Sequence, residues 1–210
     1  MSTDARAGIV LAGGFSTRFG DDDKLLATVD GQPLLAHAIA GLAPAVDAVV
    51  VSCREDQLEG FRPIFERTTV TVTPAPDPLP DRGPAAGIAT ALETIDAPVV
   101  AVVAGDMPFV DRAVLDACFD HLVDTEAVVP SVDGYRQPTH AVYRTAPLEA
   151  AATGALESGD GSLRAVMDRL DVTVVPAAEL SSTVGSRPFF DVNTAAELAS
   201  ARERAGGKNE

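Results

Sequence analysis

Short, continuous apolar runs alternate along this chain with longer helix-like stretches, and this alternation restricts the fold more than any other feature of the sequence. Three of the runs are AGIVLA (7–12), DAVVVSC (47–53) and PVVAVVAGD (98–106). Such runs leave no polar face for water, so they are typical of strands that are covered on both sides. The pattern predicts an α/β fold in which helices cover both faces of a mostly parallel sheet.

The other predicted elements continue this alternation. Strands are predicted at 69–73, 126–132, 135–144 (broken at Pro138) and 171–177. Helices are predicted at 32–43, 55–66, 85–95, 112–123, 145–156, 161–170 and 193–205. Because prolines oppose regular structure, the run PAPDPLPDRGP (74–84) is predicted to be a loop. We expect a single domain over residues 1–205 and a flexible tail over 206–210.

The charge balance argues against several classes of protein. The net charge is −15 and the pI about 4.4, so there is little from which to build a basic nucleic-acid-binding face. No apolar run approaches the roughly 20 residues of a membrane helix, and no signal peptide is recognisable. We therefore expect a cytoplasmic protein without membrane contacts. Only Lys24 and Lys208 are lysines, and this scarcity beside abundant acid suggests a high-salt cytoplasm.

The expected position of a ligand follows from the predicted fold. Ligands of parallel α/β sheets bind outside the carboxyl ends of the strands. The candidate segments are therefore the loop 13–24, the loop 74–84 and the turn that begins at Gly105-Asp106.

The loop 13–24 combines glycines with rare cations. Gly13 and Gly14 follow the strand directly, so backbone amides can approach a ligand closely. The spacing fits neither the Walker loop nor the G-x-G-x-x-G fingerprint. Arg18 and Lys24 can supply positive charge to phosphates. The alternative for Lys24 is a surface ion pair with one of three neighbouring acids, Asp21, Asp22 and Asp23.

Two carboxylates are candidates at the other segments. Asp106 ends an apolar strand, where a carboxylate is placed to bind a hard cation such as Mg²⁺. Its alternative role is to cap the next helix, for which Asp111 is better placed. Asp77 could contact a ribose, a base edge or a metal-bound water, or it could be one more surface acid. The glycines of RGPAAG (82–87) could let a flat base approach, or could serve plain turn chemistry.

Two later residues are ambiguous from their pattern alone. His140 lies on a predicted strand, where histidines are more often structural than catalytic. Either Asn193 or Thr194 is predicted to cap the last helix. Cys53 and Cys118 lack metal or redox spacing and are expected to be buried apolar groups.

The stretch GIVLAGGFSTRFGDDDKLL resembles the L-A-G-G-x(n)-R-x-G-x-x-D-K signature of nucleotidyltransferases. The later segments appear in the order found in the molybdenum cofactor guanylyltransferase family: GPAAGI, VVAGDMPFV, RQPTHAVYR, GDGSLRAVMDRL and FFDVNTAAELA. The first motif is shared across the superfamily, whereas the later series points to this family. The resemblance covers the chain from Gly8 to about Arg204. It implies a three-layer α/β/α Rossmann-like nucleotidyltransferase fold with a mostly parallel sheet.

The resemblance also implies roles for individual residues. Nucleotide contacts are implied for the backbone of Leu11, Ala12 and Gly13 and for Asp77. Phosphate binding is implied for Lys24 with Arg18, and Mg²⁺ and nucleotide binding for Asp106. Asn193 is expected near the pterin or the metal. Ser52 stands where relatives often carry a nucleotide-contacting Asn, and Asp23 is the acid that matches the signature.

The implied reaction is the transfer of GMP from GTP to the terminal phosphate of molybdopterin, with release of pyrophosphate. Catalysis would depend on positioning and on charge neutralisation by Lys24, Arg18 and Mg²⁺, with Asp23 holding Lys24 in place. The resemblance also allows transient contacts with other molybdenum cofactor proteins. The alternatives are a cytidylyltransferase for the same pterin, which tends to carry L-A-A-G, another nucleotidyltransferase of cofactor synthesis, and a non-catalytic carrier.

Overall fold

A computed structural model of the chain describes residues 5–15, 19, 23–78, 81–180 and 186–207. Its strands are Arg6–Leu11 (β1), Thr28–Val29 (β2), Gln32–Pro33 (β3), Ala48–Arg54 (β4), Val72–Asp77 (β5), Val99–Ala104 (β6), Ala127–Val132 (β7), Tyr135–Arg136 (β8), His140–Arg144 (β9) and Val172–Pro176 (β10). Its α-helices are Leu34–Leu42 (α1), Leu58–Phe65 (α2), Pro84–Leu92 (α3), Arg112–His121 (α4), Thr145–Glu157 (α5), Leu163–Met167 (α6), Ala177–Leu180 (α7) and Ala195–Gly206 (α8). Short 3₁₀ turns lie at Lys24–Leu26, Ala43–Ala45, Glu55–Gln57 and Arg187–Phe189.

One large sheet organises the molecule. Its strand order is β10-β7-β9-β6-β1-β4-β5, with β8 paired to β7. Neighbouring strands are parallel except that β9 runs antiparallel to β6 and β7, and β8 antiparallel to β7. The mostly parallel sheet predicted from the apolar runs is confirmed.

Helices cover both faces of this sheet, as the alternation of side chains along β1 illustrates. Val10 belongs to a buried cluster that includes Ile39 of α1 and Leu115 of α4. Its neighbour Ile9 points to the opposite face and belongs to a cluster with Leu148 of α5. The two cores confirm the three-layer α/β/α arrangement. Both cysteines are buried within these layers and free of disulfides.

The predicted loop 74–84 is partly wrong, because β5 continues through two prolines to Asp77. Pro74 and Pro76 pair in register with residues of β4. β5 is the edge strand of the described sheet, and an edge strand tolerates prolines because one of its sides needs no N–H donor. The prediction that Asp77 lies in a loop is corrected accordingly, since Asp77 is the last residue of the strand.

Two other boundaries differ from the sequence prediction. The helix predicted from residue 32 begins at Leu34, because β2 and β3 form a small hairpin first. Asp30 and Gly31 at its turn have φ of 47° and 74°, the left-handed pair that Asp-Gly turns favour. The last helix extends beyond the predicted 205, since α8 runs to Gly206 and the Gly207 N–H bonds back to Glu203. Residues 208–210 lie outside the described part of the chain. Among the described residues, no helix is long and apolar enough to cross a membrane.

Candidate active site

Three of the predicted site residues meet at the carboxyl ends of the parallel strands. Lys24 Nζ donates to Asp106 Oδ2 at 2.6 Å and to Asn193 Oδ1 at 2.8 Å. The partners lie 82 and 169 residues along the chain from the lysine. The Lys24 and Asp106 side chains are only 14% and 15% exposed. We call Lys24, Asp106 and Asn193 the carboxyl-edge cluster.

Lys24 is presented by a short 3₁₀ turn that Asp23 caps. The Asp23 Oδ1 accepts the Leu25 N–H at 3.0 Å, and its Oδ2 accepts from the Gln57 side chain at 2.5 Å. Asp23 therefore fixes Lys24 through the backbone of the turn. The prediction that Asp23 holds the lysine is refined, because Asp106 and Asn193 bind the ammonium itself.

Asp106 follows β6 at the turn before α4. Its Oδ2 accepts from Lys24, while its Oδ1 is buried without a hydrogen-bond partner among the described residues. The Asp111 side chain accepts from the Ala113 N–H and caps α4, so Asp106 is not needed for that role. A buried carboxylate oxygen without a partner is costly, which makes this oxygen suited to a cation or a ligand donor.

Asn193 is oriented by its neighbours in the segment before α8. Its Nδ2 donates to Asp191 Oδ2 at 2.7 Å, which directs Oδ1 towards Lys24. Its backbone N–H donates to Glu197 Oε2 at 2.8 Å, and this bond lowers the pKa of Glu197. Thr194, not Asn193, caps the helix by accepting the Glu197 N–H. Sequence reasoning missed Glu197, although Thr194-Ala195-Ala196-Glu197 has the spacing of a capping box.

The glycine-rich loop begins where β1 ends. Leu11 accepts the Gly105 N–H at 2.9 Å, and the Ala12 N–H donates to Ser52 at 2.7 Å, both through backbone atoms. A Cβ added at Gly13 or Gly14 would meet no protein atom within 4 Å. Packing within the described protein therefore does not demand glycine there, which fits a loop that leaves room for a ligand.

Contacts within the protein explain the two glycines of the 82–87 segment. Gly83 has φ of 83°, and an added Cβ would lie 2.6 Å from the Gly161 oxygen. A Cβ on Gly87 would lie 2.5 Å from the Ser52 hydroxyl, so β4 and α3 pack too closely there for a side chain. Turn geometry thus accounts for Gly83, as the alternative proposed, whereas close packing of α3 against β4 accounts for Gly87.

One predicted residue lies apart from the cluster, and another falls outside the described residues. Asp77 ends β5, which lies three strands from β6 and hence roughly 14 Å across the sheet. It shares the carboxyl edge with the cluster without belonging to it. Arg18 lies outside the described residues, as do Asp21 and Asp22, so its implied role stays a prediction.

Two residues that sequence reasoning missed contact the glycine-rich loop from the end of β4 and the 3₁₀ turn after it. Arg54 Nη1 donates to the carbonyl oxygens of Gly13 and Gly14 at 3.3 and 2.6 Å. Gln57 Nε2 donates to the Ala12 carbonyl at 3.0 Å. The sequence signal was weak, because an arginine in a turn beside Asp56 resembles an ordinary surface ion pair.

Three features together fit a nucleotidyltransferase domain: the three-layer α/β fold, the glycine-rich loop after its first strand, and the lysine–carboxylate pair at the carboxyl edge of its sheet. Comparison with known proteins agrees and narrows the class. The chain belongs to the MobA-like NTP transferase domain family, whose model matches residues 8–174. This confirms the family resemblance inferred from the motifs.

Similar proteins share both sequence and fold. A probable molybdenum cofactor guanylyltransferase from Natronomonas pharaonis is 40% identical over 95% of this chain and 98% of its own length. One from Haloferax mediterranei is 35% identical over 95% and 94%. The structure of molybdopterin-guanine dinucleotide biosynthesis protein A from Archaeoglobus fulgidus superposes with a TM-score of 0.78, 24% identity and coverage of 96% and 99%. The haloarchaeal relatives support the interpretation of the acidic composition.

The fold alone does not select the nucleotide. A 4-diphosphocytidyl-2C-methyl-D-erythritol synthase from Anaerococcus prevotii superposes with a TM-score of 0.75 at 14% identity, covering 97% of this chain and 99% of its own. The choice between guanine and cytosine therefore depends on sequence relatives and on experiment.

Proposed function

We propose that this protein is a molybdenum cofactor guanylyltransferase, which transfers GMP from GTP to the terminal phosphate of molybdopterin. The observation that carries the proposal is the position of Lys24, held by Asp106 and Asn193 beside the glycine-rich loop. The names of the relatives at 40% and 35% identity supply the choice of substrates. Because GTP is a cytoplasmic nucleotide, we place the reaction in the cytoplasm.

In this reaction the protein itself has little bond-making or bond-breaking to do. An oxygen of the molybdopterin phosphate bonds to the α-phosphorus of GTP, while the bond from that phosphorus to the bridging oxygen breaks and pyrophosphate leaves. The attacking phosphate is already an anion, so no strong general base is required. Positioning and neutralisation of negative charge supply the catalysis, and Lys24 contributes a compact positive charge.

The residues present fit a bound Mg²⁺. The unpartnered, buried Asp106 Oδ1 is a hard oxygen donor, and Mg²⁺ is often held by one or two carboxylates together with phosphates and waters. Among the described residues, no group of three His, Cys, Asp or Glu could hold a metal by itself. When bound, Mg²⁺ neutralises charge on the phosphate oxygens.

The remaining roles follow the family resemblance. The backbone of Leu11, Ala12 and Gly13 would contact the nucleotide, and Asp77 would contact it from the end of β5. Arg18 would assist Lys24 on the phosphates. Transient contacts with other molybdenum cofactor proteins would deliver the pterin and remove the product.

A nucleotide panel tests this function. Purified protein is incubated with molybdopterin, Mg²⁺ and GTP, CTP, ATP or UTP, and pyrophosphate and the dinucleotide are measured, the latter by mass spectrometry. We expect turnover with GTP and its loss when Mg²⁺ is chelated. Turnover with CTP equal to or better than with GTP would assign a cytidylyltransferase. Binding of GTP without turnover of any nucleotide would favour a carrier.

A further inference from the structure

Three consecutive carbonyl oxygens of the glycine-rich loop are bound from one side. Gln57 Nε2 donates to Ala12, and Arg54 Nη1 donates to both Gly13 and Gly14. Arg54 is the last residue of β4, and Gln57 lies in the 3₁₀ turn that follows it. We call Arg54 and Gln57 the rear clamp of the loop.

Because of the geometry of the peptide bond, the rear clamp also determines the direction in which the loop N–H groups point. The described residues contain no cis peptide bonds. In a trans peptide the C=O of one residue and the N–H of the next point in opposite directions. Holding the oxygens of Ala12, Gly13 and Gly14 on the clamp side therefore turns the N–H groups of Gly13, Gly14 and Phe15 to the other side. Successive amides that face one way form an anion-binding concavity.

All three nitrogens of the Arg54 guanidinium donate to protein groups. Its Nε and Nη2 donate to the two oxygens of Asp56 at 3.0 and 3.2 Å. Its guanidinium lies 4.6 Å from the centre of the Phe15 ring, and its side chain is only 12% exposed. A guanidinium fixed on three sides acts on a ligand through the loop that it holds, so Arg54 is a positioning residue.

Gln57 joins the loop to the lysine. Its Oε1 accepts the Arg54 backbone N–H at 2.8 Å, and its Nε2 reaches both Ala12 and Asp23. Asp23 caps the turn that carries Lys24. The side chain is buried, at 5% exposure, so these bonds are shielded from water. One residue thus fixes the loop amides and the lysine turn relative to each other.

We propose that Arg54 and Gln57 preorganise the loop amides of residues 13–15 as a binding site for the phosphates of the nucleotide. The proposal deepens the proposed function and rests on its assignment of this loop to the nucleotide. Preorganised donors bind phosphate without first being ordered, so loss of the clamp should weaken phosphate affinity.

Inorganic tripolyphosphate is the probe, because it carries the phosphates of GTP without the base or the sugar. Its affinity is measured by calorimetry with full-length protein and Mg²⁺, alongside a thermal melt. We expect Arg54→Ala to weaken tripolyphosphate binding by about tenfold or more, and to raise KM for GTP more than it lowers kcat. Added methylguanidinium should restore part of the affinity. Arg54→Lys should be intermediate, because one ammonium replaces a planar fork.

Arg144 supplies a matched control, since its guanidinium also binds backbone carbonyls, three of them where Arg54 binds two. Its guanidinium bonds to Leu122, Thr125 and Val123, at the start of α5 and away from the carboxyl-edge cluster. Arg144→Ala should lower the melting temperature and leave tripolyphosphate affinity unchanged. If Arg54→Ala fails to fold, Arg54→Lys and Gln57→Glu carry the test, and both should weaken binding.

Two outcomes would overturn the clamp. One is tripolyphosphate affinity within twofold of the wild type in the folded Arg54 and Gln57 variants. The other is an equal loss of affinity in Arg144→Ala, which would indicate a general loss of stability. Neither outcome depends on molybdopterin or on the choice of nucleotide. If GTP failed in the nucleotide panel while tripolyphosphate binding still depended on the clamp, only the guanylyl assignment would be rejected, and the proposed role of the clamp would stand.

Discussion

Two sets of buried or partly buried polar side chains in this molecule bond in different ways. On β9, polar side chains bond to backbone carbonyls. Tyr143 Oη donates to the Pro138 oxygen at 2.7 Å, and Arg144 donates to three carbonyls. His140 Nδ1 lies 3.1 Å from the Pro188 oxygen. In the carboxyl-edge cluster, Lys24, Asp106 and Asn193 bond to one another.

The difference separates structural from functional polar groups. Backbone carbonyls that lie outside regular ladders need donors, and the β9 side chains supply them, so these bonds serve the fold. A buried ion pair is a weak source of stability, because desolvation opposes its attraction. The carboxyl-edge cluster also leaves Asp106 Oδ1 without a described partner. Such an arrangement is better explained by a ligand than by stability.

His140 tests this rule, because its Nε2 is also buried without a described partner. Burial lowers the pKa of His140 from 6.5 to about 4, so the ring is neutral near pH 7. It packs against Phe189 with ring centres 4.9 Å apart. A neutral ring nitrogen without a partner costs far less than a buried charge, which agrees with a structural histidine.

Asp106→Asn should have the largest effect in the cluster. The amide keeps the size of the side chain and an oxygen for Lys24, but it removes the negative charge that would hold Mg²⁺. We expect pyrophosphate release from GTP to fall on the order of 10³-fold, the upper range for loss of one preorganised electrostatic group. Thermal melting should change little. Near wild-type turnover at ordinary Mg²⁺ would remove Asp106 from the metal site.

Lys24→Arg should come next, although the charge is conserved. The ammonium fits between Asp106 and Asn193, whereas a planar guanidinium spreads its donors in a fork. We expect kcat to fall by about 10²-fold. Steady-state kinetics should be compared with Lys24→Ala and with Arg62→Lys, an exposed control on α2. Retention of wild-type kcat in Lys24→Arg would mean that only the charge matters.

These residues also show what sequence reasoning can reach. Asp106 was predictable because an apolar run that ends in an acid is a local pattern, and the parallel fold places that end at the ligand edge. The contact of Lys24 with Asn193 was not, because it joins residues 169 positions apart and periodicity reports only local structure. The rear clamp was missed for a related reason: Arg54 acts on carbonyls 40 and 41 positions away.

The prolines of β5 show a different limit. Prolines predict the end of regular structure, which holds for a central strand but not for an edge strand. Position in the sheet decides between the two cases, and no feature within residues 72–77 reports it. Strand order is a tertiary property, and local sequence does not encode it.

His140→Gln should change the free energy of unfolding at acidic pH more than at neutral pH. The folded-state pKa of about 4 lies below the unfolded value of 6.5, so the unfolded chain binds the proton first as pH falls. Stability from the neutral ring is present above about pH 6.5 and is lost towards pH 4, amounting to about 3 kcal/mol. Glutamine can still donate to Pro188 but does not titrate.

The measurement is the drop in melting temperature between pH 7 and 4.5. We expect the wild type to drop by about 5–10 °C more than His140→Gln. His121→Gln, which changes an exposed histidine on α4, should behave as the wild type does. Equal drops in all three proteins would mean that His140 does not titrate differently on folding.

Added salt should have the smallest effect on the melting temperature. This effect should distinguish the exposed carboxylates from the carboxyl-edge cluster. At a net charge of −15, exposed carboxylates repel one another until counterions screen them. The Debye length falls from about 10 Å at 0.1 M salt to about 3 Å at 1 M, so the melting temperature should rise by a few degrees with KCl over this range.

The Lys24–Asp106 pair is only 14% and 15% exposed and is screened less, so Lys24→Ala should show the same rise. A variant with four exposed acids neutralised, Glu93, Asp96, Asp120 and Asp124, should show a smaller one. A melting temperature that does not increase with KCl in the wild type would contradict the high-salt interpretation and leave the carboxyl-edge cluster untouched.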